Sequence, residues 1–239
     1  MIGQLVWSPA KGRGRAEAVA LGPLEALRWT VYAPEGLAPW RLGRRLRRAE
    51  RALARAGVGR VVLGPDFPYG GRLALLRPVD PVPMLRACAG VLALGALAAE
   101  GMDGRRGRVA LSASRLCPEL EGAAERLCPR VRGLVIDAPG GADYARYLQA
   151  KFGLPVSPPA AGADVTAAFA PGGGRWGRSV ELYEGGCLGG LALEAEGVEL
   201  PGGCGEQVLA ILWEQGRVKR GQMCCGQVDR EGIREYNDS

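Results

Sequence analysis

The chain has 239 residues, 47% of them hydrophobic and 23% charged. That balance excludes wholesale disorder and allows one large domain or two modest ones. The formal net charge is +6, all but three of the basic residues (Lys11, Lys151, Lys219) are arginine, and histidine is absent, which removes the commonest general base and a common zinc ligand together.

Residues 4–7 and 27–32 read as strands between Gly- and Pro-containing turns. A helix is predicted over 39–56, because Leu42, Leu46, Ala49 and Leu53 recur at helical spacing. Arg41, Arg44, Arg48, Arg51 and Arg55 fall on its opposite face. Such a stripe either grips phosphates or an anionic membrane surface, or is the solvated face of a core-packed helix, and without interleaved aromatics the last reading is favoured. Nucleic acid is therefore the least favoured partner. Residues 60–64 form a short apolar run of the kind a parallel sheet buries. They empty into Pro65-Asp66-Phe67-Pro68-Tyr69-Gly70-Gly71. Loops leaving the carboxyl ends of parallel strands hold ligands in α/β proteins, so Asp66 is a candidate binding residue. Ordinary turn chemistry also accounts for it.

A long Ala/Leu-rich helix is predicted from Pro81 to near Gly101, apolar almost all round and so buried. Its most apolar part, 87–99, is shorter than the roughly 20 residues of a membrane span, and no membrane association is expected. Residues 108–112 then read as a strand, Pro118 as the start of a helix running to about Cys128, and 133–137 as a second strand ending in an acid. Strand, helix, strand and acid in about thirty residues is the plan of a dinucleotide-binding βαβ unit. A helix over 143–152, a brief strand at 154–156 and a core strand at 164–170 follow. Residues 179–183 and 191–200 read as strands of a hairpin, 204–215 as a last amphipathic helix, and the tail from Asp229 as polar.

Residues 98–111, AAEGMDGRRGRVAL, resemble the approach to the nucleotide domain of shikimate dehydrogenases and glutamyl-tRNA reductases. There a helix, a Gly-x-Asp-type turn and a glycine-basic-valine strand lead into a glycine loop. Ala163-Asp164-Val165 with Ala170-Pro171-Gly172-Gly173 resembles a later strand of those families. The resemblance covers about residues 87–173 and implies an α/β fold, a Rossmann-like, mostly parallel sheet flanked by helices, beside a smaller N-terminal α/β region. It places Ser112, Ala113 and Ser114 in the glycine loop and Asp137 as the ribose-binding acid, with NAD as the cofactor selected over NADP. Serine and alanine crowd the approach that glycines leave open to a pyrophosphate. The families' catalytic Lys–Asp pair has no match, since Lys11 is the only lysine before Lys151 and Asp80 lacks the Asn-Thr of their substrate motif. No catalytic residue is assigned.

Gly172-x-Gly174-x-x-Gly177 spells a nucleotide-binding motif but runs into a strand-like segment instead of a helix, and reads as a loop. Gly202-Gly203-Cys204-Gly205 precedes a helix and is a candidate anion nest, with the Cys204 pKa expected to be lowered there. The seven cysteines show neither a disulfide framework nor metal-ligand spacing, and the opening MIGQLVWSPAKG is unlike a secretory signal. Reduced thiols and a cytoplasmic location are expected. The expected organisation is an N-terminal α/β region (1–80), a Rossmann-like domain (81–200) and a C-terminal helix and tail (201–239) that pack back.

The favoured function is a non-catalytic relative of the NAD(P)-binding dehydrogenases, a binding or regulatory module whose partner is another protein or a second copy. The alternative is an NAD(P)-dependent oxidoreductase with an atypical site of Asp66, Ser112, Ser114 and Asp137. A nucleic-acid binder through the 41–55 helix face ranks last.

Overall fold

Short apolar runs pair in parallel to make two sheets, one in each of two units. The computed structural model describes residues 1–153, 156–172 and 176–227. The first unit comprises Met1–Pro81 and Gly197–Val218, the second Val82–Glu196 and the segment beginning at Lys219.

In the first unit β1 (Ile2–Ser8) is central, with β3 (Leu24–Tyr32) and β4 (Arg60–Leu63) parallel to it on either side. The short β5 (Arg77–Pro78) extends the sheet beyond β4. An antiparallel edge strand, β2 (Ala16–Leu21), lies outside β3. Helix α1 (Pro39–Arg55) starts with a proline in its first turn, where a missing N–H is harmless. It lays Leu42, Leu46, Ala49 and Leu53 on a core that includes Leu5, Val31 and Val61. Each large apolar side chain buried this way contributes about 1.5–3 kcal/mol. Glu50 shares the buried face. It is 1% exposed, and its Oε1 accepts the backbone N–H groups of Ala74, Leu75 and Leu76 at 2.7, 2.7 and 3.2 Å. Helix α6 (Gly205–Glu214) closes the unit. Its Gln207 side chain accepts from Leu63 N at 2.9 Å and donates to Leu63 O at 3.4 Å, while Glu214 pairs with Arg60.

In the second unit β6 (Arg108–Ser112) is central. Strands β7 (Gly133–Asp137) and β8 (Val156–Ser157) lie to one side, β9 (Val165–Ala168) and β10 (Arg178–Glu181) to the other, all parallel. The spatial order β10-β9-β6-β7-β8 is thus fifth, fourth, first, second, third in this sheet. That is the five-strand order of the doubly wound nucleotide fold. Val109, Ala110, Leu111, Leu134, Val135, Val165 and Ala167 are fully buried, as a parallel sheet covered by helices requires. Helices α4 (Pro118–Leu127) and α5 (Gly141–Phe152) follow β6 and β7.

Two expectations are corrected here. The helix predicted over 81–101 is two helices, α2 (Val82–Ala87) and α3 (Ala89–Ala99), broken at Cys88, whose ψ of 10° leaves the helical range. The predicted hairpin of 179–183 with 191–200 does not form. β10 pairs with β9, and β11 (Leu191–Ala195) pairs antiparallel with β12 (Met223–Gln227). The β11–β12 ribbon lies against α3, where Cys225 fills the space over Gly95. Covered by β9 and β10, by α4 and by this ribbon, α3 is apolar on every side. Arg86 of α2 ties the ends of β9 and β10, donating to Phe169 O and Leu182 O at 2.8 Å each. Residues 154–155 of the predicted 154–156 strand lie outside the described residues, as does the polar tail from Asp229. Among the described residues no helix is long and apolar enough to cross a membrane.

Candidate functional site

Parallel strands release their loops at one edge, and in the second unit those loops enclose a cleft of about 920 Å³. Ser112-Ala113-Ser114 leaves β6, Asp137 to Gly141 leaves β7, Pro158-Pro159 follows β8, and Ala170-Pro171-Gly172 follows β9. β6 and β9 are neighbours whose connections run in opposite directions, the switch point at which this fold class binds ligands.

Ser112 and Asp137 face each other in the β6–β7 register. Ser112 is 5% exposed, and its Oγ donates to Asp137 Oδ2 at 3.0 Å. The backbone around the pair is fixed as well: Ala113 N donates to Asp137 O at 3.0 Å and Phe169 N to Ser112 O at 2.8 Å. Among the described residues Asp137 Oδ1 has no protein donor, so one carboxylate oxygen remains to accept from a ligand. Ser114 is exposed on the same rim. The structure therefore brings three of the four candidate residues into one cleft. Asp66 belongs to the first unit, exposed in a turn where Phe67 N donates to Gly64 O at 3.2 Å. Its φ of 56° is the only positive value on a non-glycine among the described residues, a conformation Asp tolerates in turns.

Sequence reading missed Gly140-Gly141, which begins α5 at the cleft. Gly140 caps the helix at φ 77°. A Cβ on Gly141 would stand 2.9 Å from both Ile136 O and Ile136 Cγ2, so only glycine lets α5 approach β7 this closely. The signal was a Gly-Gly pair three residues after a strand-ending acid.

A dinucleotide would set its pyrophosphate on the loop after β6 and the N-terminus of α4. The residues there do not fit it. Ser114 and Arg115 stand where glycines belong, Pro118 removes an N–H from the first turn, and Glu119 and Glu121 place two carboxylates in that turn.

Cys204 is a further correction. It caps α6 but is only 4% exposed, and burial pushes its pKa up despite the lowering influence of Arg28 and of Gln4, whose Nε2 lies 3.8 Å from the sulfur. Desolvation of the thiolate outweighs the helix terminus. Burial likewise pushes Cys88 and Cys128 from 9.0 to about 11. At pH 8 a disulfide reagent should therefore label Cys187 and Cys224, both exposed, and reach Cys88, Cys128 and Cys204 only in denaturant. Because unfolded thiols ionise first, the folded state should lose stability as pH climbs from about 9 toward 11. Fast labelling of Cys204 in the native protein would contradict this. Among the described residues no cluster of His, Cys, Asp or Glu could hold a metal ion.

A parallel sheet of this strand order with a cleft at its switch point defines a Rossmann-like α/β protein. No protein-family model matches the chain, and no curated protein is significantly similar to it. Among solved structures it is similar to an L-tryptophan dehydrogenase from Nostoc punctiforme, at 16% identity and a TM-score of 0.32. That match covers 72% of this chain and 57% of the dehydrogenase chain.

Proposed function

We propose that the second unit is a non-catalytic binding module for a ribose-bearing small molecule, on the plan of the NAD(P)-binding dehydrogenases but without their pyrophosphate seat. The Ser112–Asp137 pair carries the reading. An acid at the end of the second strand accepts ribose hydroxyls in this fold class, and Ser112 holds Asp137 Oδ2 so that Oδ1 faces a fixed position. A nucleoside or mononucleotide keeps that contact without a diphosphate over Ser114 and Glu119. The cleft's ionisable side chains are Asp137, Asp143 and Arg146. Asp143 pairs with Arg146, and Ser112 orients Asp137 as a hydrogen-bond acceptor.

Thermal shift against adenosine, AMP, S-adenosylmethionine, NAD and NADP tests this. A ligand at about 100 times its Kd adds about 2.7 kcal/mol to the folded state. Adenosine or AMP should raise Tm more than NAD does, and Asp137→Ala should abolish the rise. Turnover of a hydroxy- or keto-acid with NAD or NADP would overturn the non-catalytic reading, and no shift with any of the five would overturn ribose binding.

A further inference from the structure

Helix α1 carries seven arginines in 17 residues, and its geometry assigns them a task the core does not. Arg45 is engaged, donating to Tyr32 O. Arg41, Arg44, Arg47, Arg48, Arg51 and Arg55 are exposed, and among the described residues none is in an ion pair. The helix's only acid, Glu50, is turned inward and consumed by three backbone N–H groups. Arg41, Arg44, Arg48, Arg51 and Arg55 follow one another at intervals of three and four, the spacing at which like charges on a helix repel. They extend over about 21 Å at 1.5 Å per residue.

In the linear spacing this stripe has no interleaved aromatics, but the fold supplies them. The six arginines line a cleft of about 870 Å³ together with Trp40 and Trp29. Trp40 is 57% exposed, with the guanidinium groups of Arg41 and Arg44 at 5.1 and 6.0 Å from its ring. Those two contacts are at cation–π distance and hold the indole at the rim of the cleft. An exposed indole beside a row of guanidiniums without ion-pair partners matches a ligand with regularly spaced phosphates and free bases.

We propose that this face of α1 binds single-stranded nucleic acid, the arginines tracking the phosphates and Trp40 stacking on a base. A membrane surface fits less well, because α1's apolar stripe is spent in the core and leaves nothing to insert. A duplex fits less well because its bases are already stacked. The site lies in the first unit and stands independently of the cleft around Asp137.

The test is fluorescence anisotropy of labelled 15-mer oligo-U and oligo-dT titrated with the whole chain between 50 and 200 mM salt (about the range over which phosphate contacts lose most affinity). Binding should weaken steeply with salt. Arg44→Gln with Arg48→Gln should lower the log–log salt slope by about 1.4, at about 0.7 per phosphate contact. Trp40→Ala should weaken binding about tenfold with the slope unchanged. These side chains are solvent-exposed, and unchanged melting of each variant confirms that the fold is intact. Lack of binding at 50 mM salt, indifference to the arginine pair, tighter binding to a duplex of the same length, or tighter binding to phosphatidylserine vesicles would each overturn the proposal.

Discussion

Gly177→Ala should unfold the second unit under conditions where the parent is stable, at a cost of at least about 4 kcal/mol. Gly177 sits at φ 56°, and a Cβ there would lie 1.8 Å from Asp164 O and 2.3 Å from Asp164 C. The left-handed backbone alone disfavours alanine by about 1–2 kcal/mol. The overlap is worse, because its partner is backbone that cannot rotate away. Asp164 is held twice by Arg108: its N donates to Arg108 O at 3.0 Å, and its Oδ2 accepts from Arg108 N at 2.7 Å. Relief therefore means moving β10 off β9, starting with the 3.1 Å bond from Arg178 N to Asp164 O. Urea unfolding followed by circular dichroism measures the loss. A change under 1 kcal/mol would show that the chain does not approach itself this closely. The last glycine of a sequence that spells a phosphate-binding motif is, on this account, a spacer between strands.

Glu50→Ala should cost the first unit about 2–3 kcal/mol, since it leaves the buried Leu76 N–H without its acceptor at about 1–3 kcal/mol, while the exposed Ala74 and Leu75 can turn their N–H groups to water. Glu50→Gln separates the acceptor from the charge. The amide keeps an oxygen where Oε1 accepts from Ala74, Leu75 and Leu76. It puts its NH2 where Oε2 already lacks a partner, so its cost should be smaller, about 1–2 kcal/mol. Chemical denaturation monitored by tryptophan emission reports the first unit through Trp29, buried in its core. Equal losses for Ala and Gln would mean that the charge, not the three hydrogen bonds, secures the 74–76 segment.

The legible parts of the fold were those encoded locally. The stripe of Leu42, Leu46, Ala49 and Leu53 marks α1 within a residue at its end, and the run ending in Asp137 marks β7 from Gly133 to Asp137. Pairing was less legible. The alternation that makes 178–181 and 191–195 strands says nothing about which strand each will meet, and the true partners are decided by distant contacts such as Gly177 on Asp164 and Cys225 on Gly95. β2 escaped notice because most of its residues are exposed on an edge, without apolar alternation. The break at Cys88 has no proline or glycine at the break itself; Gly90, two residues on, lies inside α3. Glu50 did leave a signal, an acid four residues after Leu46 on the apolar stripe, where an unpaired charge would be costly. In the cleft, Ser112, Ser114 and Asp137 follow from the βαβ plan, whereas Gly140-Gly141 gained meaning only once α5 was seen against Ile136.

The division of the first unit between Met1–Pro81 and Gly197–Val218 has a consequence for synthesis. A nascent chain emerges from its N-terminus, so β1 to β5 leave the ribosome more than a hundred residues before α6 exists to bracket Leu63 and pair with Arg60. The strands of the second sheet, by contrast, are contiguous from β6 to β10 and are complete while the first sheet still lacks its closing helix. Strands β1 to β5 are thus made before the second sheet and finished after it. Lesions in α6 will be felt by a half-built sheet with an open edge, as lost yield during translation, before they register in the melting of the mature protein.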